Sequence, residues 1–169
     1  MKAILISIQP QYVADILNGE KTLEIRKTMP KCDLPIDVYI YCTKDKKYVN
    51  LINRGGFLTG MVVAKFTLNK VDKVHLRFEK YCAGELSQDG LLKYACLTEQ
   101  ELDNYLWSNC CIGYAWHIDN LKIFDRPKEL SEFKCCLLGH NNCVPHNCQE
   151  CPATKPLTRA PQSWCFVEV

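Results

Sequence analysis

A chain of 169 residues, 47% hydrophobic and 24% charged, has the length of one domain and enough apolar matter to bury a core. No apolar run approaches the roughly 18 residues that a membrane helix needs, which argues against a helical membrane protein. The net charge of +2 conceals an asymmetry: residues 1–80 carry 14 Lys or Arg against 8 Asp or Glu, and residues 81–169 carry 7 against 11. The first half is therefore basic and suited to a polyanionic partner, although solvated strand faces account for the same excess equally well.

Ala3 to Ile8 is a β-branched apolar run that reads as a strand. Proline and glutamine follow it where a signal peptide would place small residues at a cleavage site, so the sequence predicts a cytoplasmic protein without a leader. Pro10 suits a first helical position, Tyr12, Val13, Ile16 and Leu17 follow at helical spacing, and Asn18-Gly19 supplies the stop. The next stretch, Gly19 to Lys27 (GEKTLEIRK), alternates as a strand. That alternation predicts Thr22, Glu24 and Arg26 on one face and Lys21, Leu23, Ile25 and Lys27 on the other.

Ile36 to Cys42 reads as a further strand, and Asn53-Arg54-Gly55-Gly56 marks a turn. Phe57 to Val74 reads as a long strand or strand pair, with a bulge at Gly60. Thr98 to Trp107 has helical character, and Thr98 and Glu101 stand in the relation of a capping box. Gly113 to Phe124 is predicted as a strand ended by Arg126-Pro127. Gln162 to Val169 returns to strand at the close. The sum is an α+β chain: a small mixed β-barrel with one early and one later helix.

Between the last two strands lies a Cys/His-rich, irregular insertion over residues 134–157. Twelve cysteines are many for this length. Those scattered singly, Cys32, Cys42, Cys82, Cys96 and Cys165, read as buried free thiols. The dense group is different: residues 135–151 hold five Cys and two His. In a reducing compartment such a cluster points to metal ahead of disulfides. Cys148-x-x-Cys151 is a two-thiolate hook for tetrahedral Zn²⁺. Cys143 and Cys135 complete a four-Cys structural site, with Cys136, His140 or His146 as substitutes. A redox-active dithiol and plain unpaired cysteines are the competing readings.

Ser7-Ile8-Gln9-Pro10, a helix ending in Gly19, and then Lys21, Glu24 and Arg26 as G-x-K-x-x-E-x-R resemble the signature of the ASCH domain (activating signal cointegrator homology), a relative of PUA domains. The stretch Tyr114 to Pro127, followed by Leu130 and Phe133, and the ending Arg159 to Val167 are similar to its bacterial and prophage members. The resemblance covers residues 1–133 and 157–169, within a single domain spanning 1–169. It implies a PUA-like β-barrel whose cleft binds RNA or a modified nucleoside through Ser7, Gln9, Lys21, Glu24 and Arg26.

The residue chemistry suits that role. Arg26 offers a planar fork to a phosphate or base edge, Lys21 a mobile charge, and Glu24 an acceptor for an exocyclic amine or ribose hydroxyl. Against this, a Glu24–Arg26 pair on one strand face is equally a surface ion pair. Tyr12, Trp116 and Trp164 are better read as core than as stacking platforms.

Two further readings stand beside binding. If the protein is an enzyme, Lys21, Glu24 and Arg26 would be its catalytic set, in a ribonuclease or a nucleoside amidohydrolase. The amidohydrolases that resemble this chain use a threonine two residues before the motif arginine, where this sequence has Glu24, so binding ranks ahead of hydrolysis. A protein-interaction module is the third reading.

Overall fold

The computed structural model of the chain describes residues 2–45, 59–77, 80–136 and 154–169. Its elements run β1 (Lys2–Ile8), α1 (Pro10–Leu17), β2 (Leu23–Arg26), β3 (Ile36–Cys42), β4 (Val62–Leu68), β5 (Val71–Arg77), β6 (Lys80–Ala83), α2 (Gln88–Ala95) and α3 (Glu99–Leu106). They continue with β7 (Gly113–His117), β8 (Asp119–Lys128), β9 (Lys134–Cys136), β10 (Thr154–Pro156) and β11 (Trp164–Glu168). Seven strands form one sheet in the order β10-β9-β11-β1-β3-β4-β8, and four form a second in the order β2-β7-β5-β6.

β1 is central to the larger sheet and apolar on both faces. Ile4, Ile6 and Ile8 join Val13 and Ile16 of α1, Val38, Ile40, Phe66 and Trp116 in one core. Ala3 and Leu5 face a different cluster with Tyr39, Phe133, Leu157 and Val167. A strand covered on both sides needs no polar alternation, which is why KAILISI reads as a continuous apolar run. β1 pairs parallel with β3 and antiparallel with β11. The parallel pair requires a crossover, and α1 with β2 supplies it.

A third core lies between the smaller sheet and the helices. Leu23 and Ile25 of β2, Val74, Tyr81 and Ala83 pack against Leu91 and Ala95 of α2 and Leu102 and Leu106 of α3. Thr98 caps α3 with the full reciprocal box to Glu101, as the sequence predicts. Pro10 likewise occupies the first turn of α1.

Four expectations are corrected. The sheets do not close into a barrel, because β2, β7, β5 and β6 form their own hydrogen-bonded ladder apart from the larger sheet. A third α-helix, α2, stands beside the early and later ones; its Gly90 and polar start hide it, but Ser87 caps it by accepting from the Gly90 amide. Gly60 lies in a turn before β4, at φ +83°, and not in a strand bulge. The predicted Gly113–Phe124 strand is two strands, which break at Ile118 and serve different sheets, and β8 runs on past Pro127 to Lys128. Of the insertion, residues 137–153 lie outside the described residues, while its ends pair as β9 and β10. No described helix is long and apolar enough to cross a membrane.

Gly84 ends β6 at φ +56°, and a Cβ there would stand 2.9 Å from the Asp72 carboxylate. Asp72 cannot yield easily, because its Oδ2 lies 2.9 Å from Lys70 Nζ and 2.8 Å from His117 Nε2. Burial acts to raise the Asp72 pKa, and those two bonds outweigh it and hold the carboxyl below its usual range. Gly84→Ala is expected to cost about 1–3 kcal/mol, a fall in Tm of about 3–10 °C for a chain of this size, read by thermal denaturation. An unchanged Tm would show that the Asp72 cluster is free to shift.

Candidate functional site

All four residues of β2 are buried, for a different reason on each face. Leu23 and Ile25 enter the helix-covered core. Glu24 and Arg26 project from the opposite face, where the end of β1 and the chain leading into β11 pass by. The Ser7 amide donates to the Ser163 carbonyl at 2.9 Å and the Ser7 hydroxyl donates to the Pro161 carbonyl at 2.7 Å, which ties that passing segment to β1.

Arg26 bridges the two. Its Nη2 donates to the Ser7 carbonyl at 2.7 Å and lies 2.9 Å from Glu24 Oε1, and Nη1 lies 3.4 Å from Ser163 Oγ. Its Nε is buried and finds no hydrogen-bond partner among the described residues. The other carboxylate oxygen, Glu24 Oε2, lies 3.3 Å from Lys21 Nζ. Lys21 in turn donates at 2.5 Å to the carbonyl of Ala95, the last residue of α2, where the helix dipole favours a cation. Lys21, Glu24 and Arg26 are 2%, 7% and 7% exposed.

Strand alternation predicts Lys21 on the face away from Glu24, and the structure places it beside Glu24. The reason is local. β2 begins only at Leu23, and the amides of Glu20 and Lys21 both bond the Asp15 carbonyl at 2.9 and 3.0 Å. Lys21 thus belongs to the turn leaving α1, outside any pleat. Of the other predicted ligand residues, Ser7 is buried and contributes its carbonyl to Arg26. Gln9 is exposed and serves as the N-cap position of α1 without a side-chain cap.

Tyr12, Glu101 and Tyr105, the last hydrogen-bonded to the Arg26 side chain, are neighbours that sequence reasoning does not assign to the site. The Tyr12 ring lies 5.3 Å from Lys21 Nζ, and its hydroxyl donates to Glu101 Oε1 at 3.5 Å. Burial, followed by the Glu101 charge, raises the Tyr12 pKa. Hydrogen bonds from the Thr98 backbone and hydroxyl hold Glu101 below its usual range, with smaller contributions from Tyr12 and Lys21. The capping box was the available signal for Glu101, but a cap alone does not reveal what else the carboxylate meets. Trp116 is fully buried core, as expected. Trp164 is half-buried, packs tilted by 59° against Trp116 with ring centroids 5.6 Å apart, and donates from Nε1 to Thr28 Oγ1 at 3.0 Å.

Of the predicted metal ligands, Cys143, Cys148 and Cys151 lie outside the described residues, as do His140 and His146. Cys135 is half-buried in β9 and borders Cys165, whose thiol is pushed up to about 12 by burial and then by Cys135. Among the described residues no group of three or more His, Cys, Asp or Glu could hold a metal ion.

No family model and no curated protein matches the chain. Solved structures do. ASCH from Zymomonas mobilis superposes with a TM-score of 0.60 at 18% identity, covering 98% of this chain and 87% of that one. A tyrosine-to-phenylalanine variant of the same protein gives 0.59 at 18%, over 99% and 91% of the two chains. A serine-to-alanine variant gives 0.61 at 17%, over 98% and 88%. Nearly the whole described chain, with its two sheets and three helices, therefore has the fold of the ASCH proteins.

Proposed function

We propose that the protein is an ASCH-type binder of RNA or of a modified nucleoside, and that Lys21, Glu24 and Arg26 recognise the ligand. The buried Lys21–Glu24–Arg26 cluster is the observation that carries this reading. Taking three ionised groups out of water costs several kcal/mol per ion, and apolar residues of similar volume would usually stabilise a fold as well or better. Two cations against one carboxylate leave a local excess of positive charge. That excess suits a phosphate or a base edge, and the buried Arg26 Nε has no hydrogen-bond partner among the described residues. Half-buried Tyr12, whose ring lies 5.3 Å from Lys21 Nζ, offers the cluster a face on which a base stacks.

Binding is favoured over hydrolysis by the same geometry. Each Glu24 oxygen already accepts from a cation, a poor arrangement for a general base that must take a proton from water. Thr22, the nearest hydroxyl on the motif strand, is exposed. If the protein binds RNA here, affinity should fall steeply with salt. Arg26→Ala should then weaken binding about tenfold or more, the worth of a charge-assisted hydrogen bond, and Lys128→Ala on β8 should change it little. Fluorescence anisotropy on labelled RNA, with thermal melts confirming that each variant folds, decides this; equal effects would mean diffuse charge without a site. Glu24→Gln keeps the side-chain shape and should alter affinity and base preference. Robust wild-type cleavage of RNA or of an N-acylated nucleoside, lost in Glu24→Gln, would replace this reading with the hydrolase.

We also propose one structural zinc held by Cys135, Cys143, Cys148 and Cys151, with Cys136, His140 or His146 as possible replacements for one thiolate. The Cys148-x-x-Cys151 spacing supports it. So does the β9–β10 ladder, which sets Cys136 opposite Thr154 and brings the two ends of the intervening segment together. Purified protein should carry about one equivalent of zinc. The double variant Cys148→Ser, Cys151→Ser should lose it while retaining the far-UV signature of the two sheets. Metal analysis showing none, in protein prepared without chelator or oxidant, would rule the site out.

A further inference from the structure

The face of the smaller sheet that carries Glu24 and Arg26 is covered at β7, where Trp116 is fully buried, and at the start of β5, where Val71 packs on the same core. It emerges from that cover along the rest of β5 and on β6, the edge strand of the sheet. His75 lies opposite Cys82 there, and Arg77 opposite Lys80. Directly paired residues share a face. Lys73, His75, Arg77 and Lys80 are exposed, and Cys82 is half-buried.

Cys82 and His75 meet side chain to side chain. Cys82 Sγ lies 3.3 Å from Nε2 and 4.0 Å from Nδ1 of the ring, and 3.6 Å from the His75 carbonyl oxygen. With the ring proton on Nδ1, Nε2 accepts from the thiol, which is the relation of a nucleophile to its general base. The surroundings carry one sign of charge. On this face β5 and β6 present no acidic side chain among their described residues, and Lys73 and Lys80 each stand one strand repeat, about 7 Å, from a member of the pair. Neither lysine forms an ion pair with a described residue, whereas Lys65 and Lys70 are each matched to an aspartate. Elsewhere in the frame burial opposes thiolate formation: it pushes Cys42 and Cys165 up to about 12 and raises Cys32 and Cys96. Cys110, beyond α3, is more exposed than Cys82 but has no histidine contact among the described residues.

We propose that Cys82 is a thiolation site, at which His75 accepts the thiol proton and the substrate is a small anionic disulfide. Cys82 Sγ attacks one sulfur of that disulfide. The bond between the two substrate sulfurs breaks as the new S–S bond forms, and the departing thiolate takes the proton from His75 and leaves as a thiol. One disulfide is consumed and one is made, so no further oxidant enters. The substrate's carboxylates come within reach of Lys73 and Lys80. This site is separate from the Lys21–Glu24–Arg26 cluster and does not rest on its binding role.

The test uses the full chain, freshly reduced, treated in parallel with glutathione disulfide, which is anionic, and with cystamine, which is cationic. Adducts are located by peptide mass spectrometry without reductant, and the rate at Cys82 is divided by the rate at Cys110. With glutathione disulfide that ratio should be about ten or more, from general-base assistance, although accessibility alone favours Cys110. His75→Gln should lose the advantage with both disulfides. The double variant Lys73→Ala, Lys80→Ala should lower the ratio about fivefold with glutathione disulfide, the worth of one close ion contact in water, and should not lower it with cystamine. The replaced side chains are exposed, thermal melts check that the variants fold, and the comparison of the two thiols in the wild type needs no variant. Cys82 reacting no faster than Cys110 would overturn the proposal, as would an undiminished ratio in folded His75→Gln. Equal ratios with the two disulfides, or no effect of the lysine changes, would overturn the anionic substrate class.

Discussion

The Glu24 carboxylate is the point on which the arrangement turns. One oxygen meets Lys21, which reaches on to the end of α2, and the other meets Arg26, which reaches on to β1 and the approach to β11. A single anion thereby ties the helix layer to the larger sheet. Removing it would leave two buried cations without compensation, the costliest way to break such a cluster. Ligand chemistry and tertiary architecture share the same atoms, so a change at Glu24 acts on both.

The cluster can be buried because β2 has no solvent face. Its apolar side chains complete the helix-covered core while its charged ones are walled by the turn from α1, the end of α2 and the segment around Ser163. A four-residue strand with LEIR as its sequence would ordinarily present its charges to water. Here the crossover that joins the parallel strands β1 and β3 carries β2 to the edge of the smaller sheet, with Glu24 on the same face as Trp116, which packs on the larger sheet. The connectivity of the larger sheet thus places the charged face where desolvation strengthens each contact.

Much of the frame is legible from local pattern. The apolar run of β1, the proline-started helix α1, the strand Ile36–Cys42 and the capping box of α3 are all specified by residues within a few positions of one another. The misses have a common origin in distance along the chain. Lys21 joins Glu24 because of a turn held by the Asp15 carbonyl, and Tyr12 and Glu101 meet although 89 residues separate them. The division of residues 113–128 between two sheets depends on partners that periodicity cannot name. α2 escapes notice because Gly90 and a polar first turn weaken its pattern, and tertiary packing of Leu91 and Ala95 supplies what propensity lacks.

The pairing of β1 with β11 sets Lys2 to Ile6 against Trp164 to Glu168, and Ser7 against Ser163. On a ribosome adding about 5–20 residues per second, the first of these strands waits roughly ten to thirty seconds for its neighbour to be made. Until then the buried strand β1 has an open edge, and Arg26 lacks the Ser163 side of its enclosure. The smaller sheet, whose four strands all lie within residues 23–117, can form earlier. The order of synthesis therefore leaves the β11-side edge of β1 unpaired until the chain is nearly finished, and it makes the assembled charge cluster a late marker of completed folding.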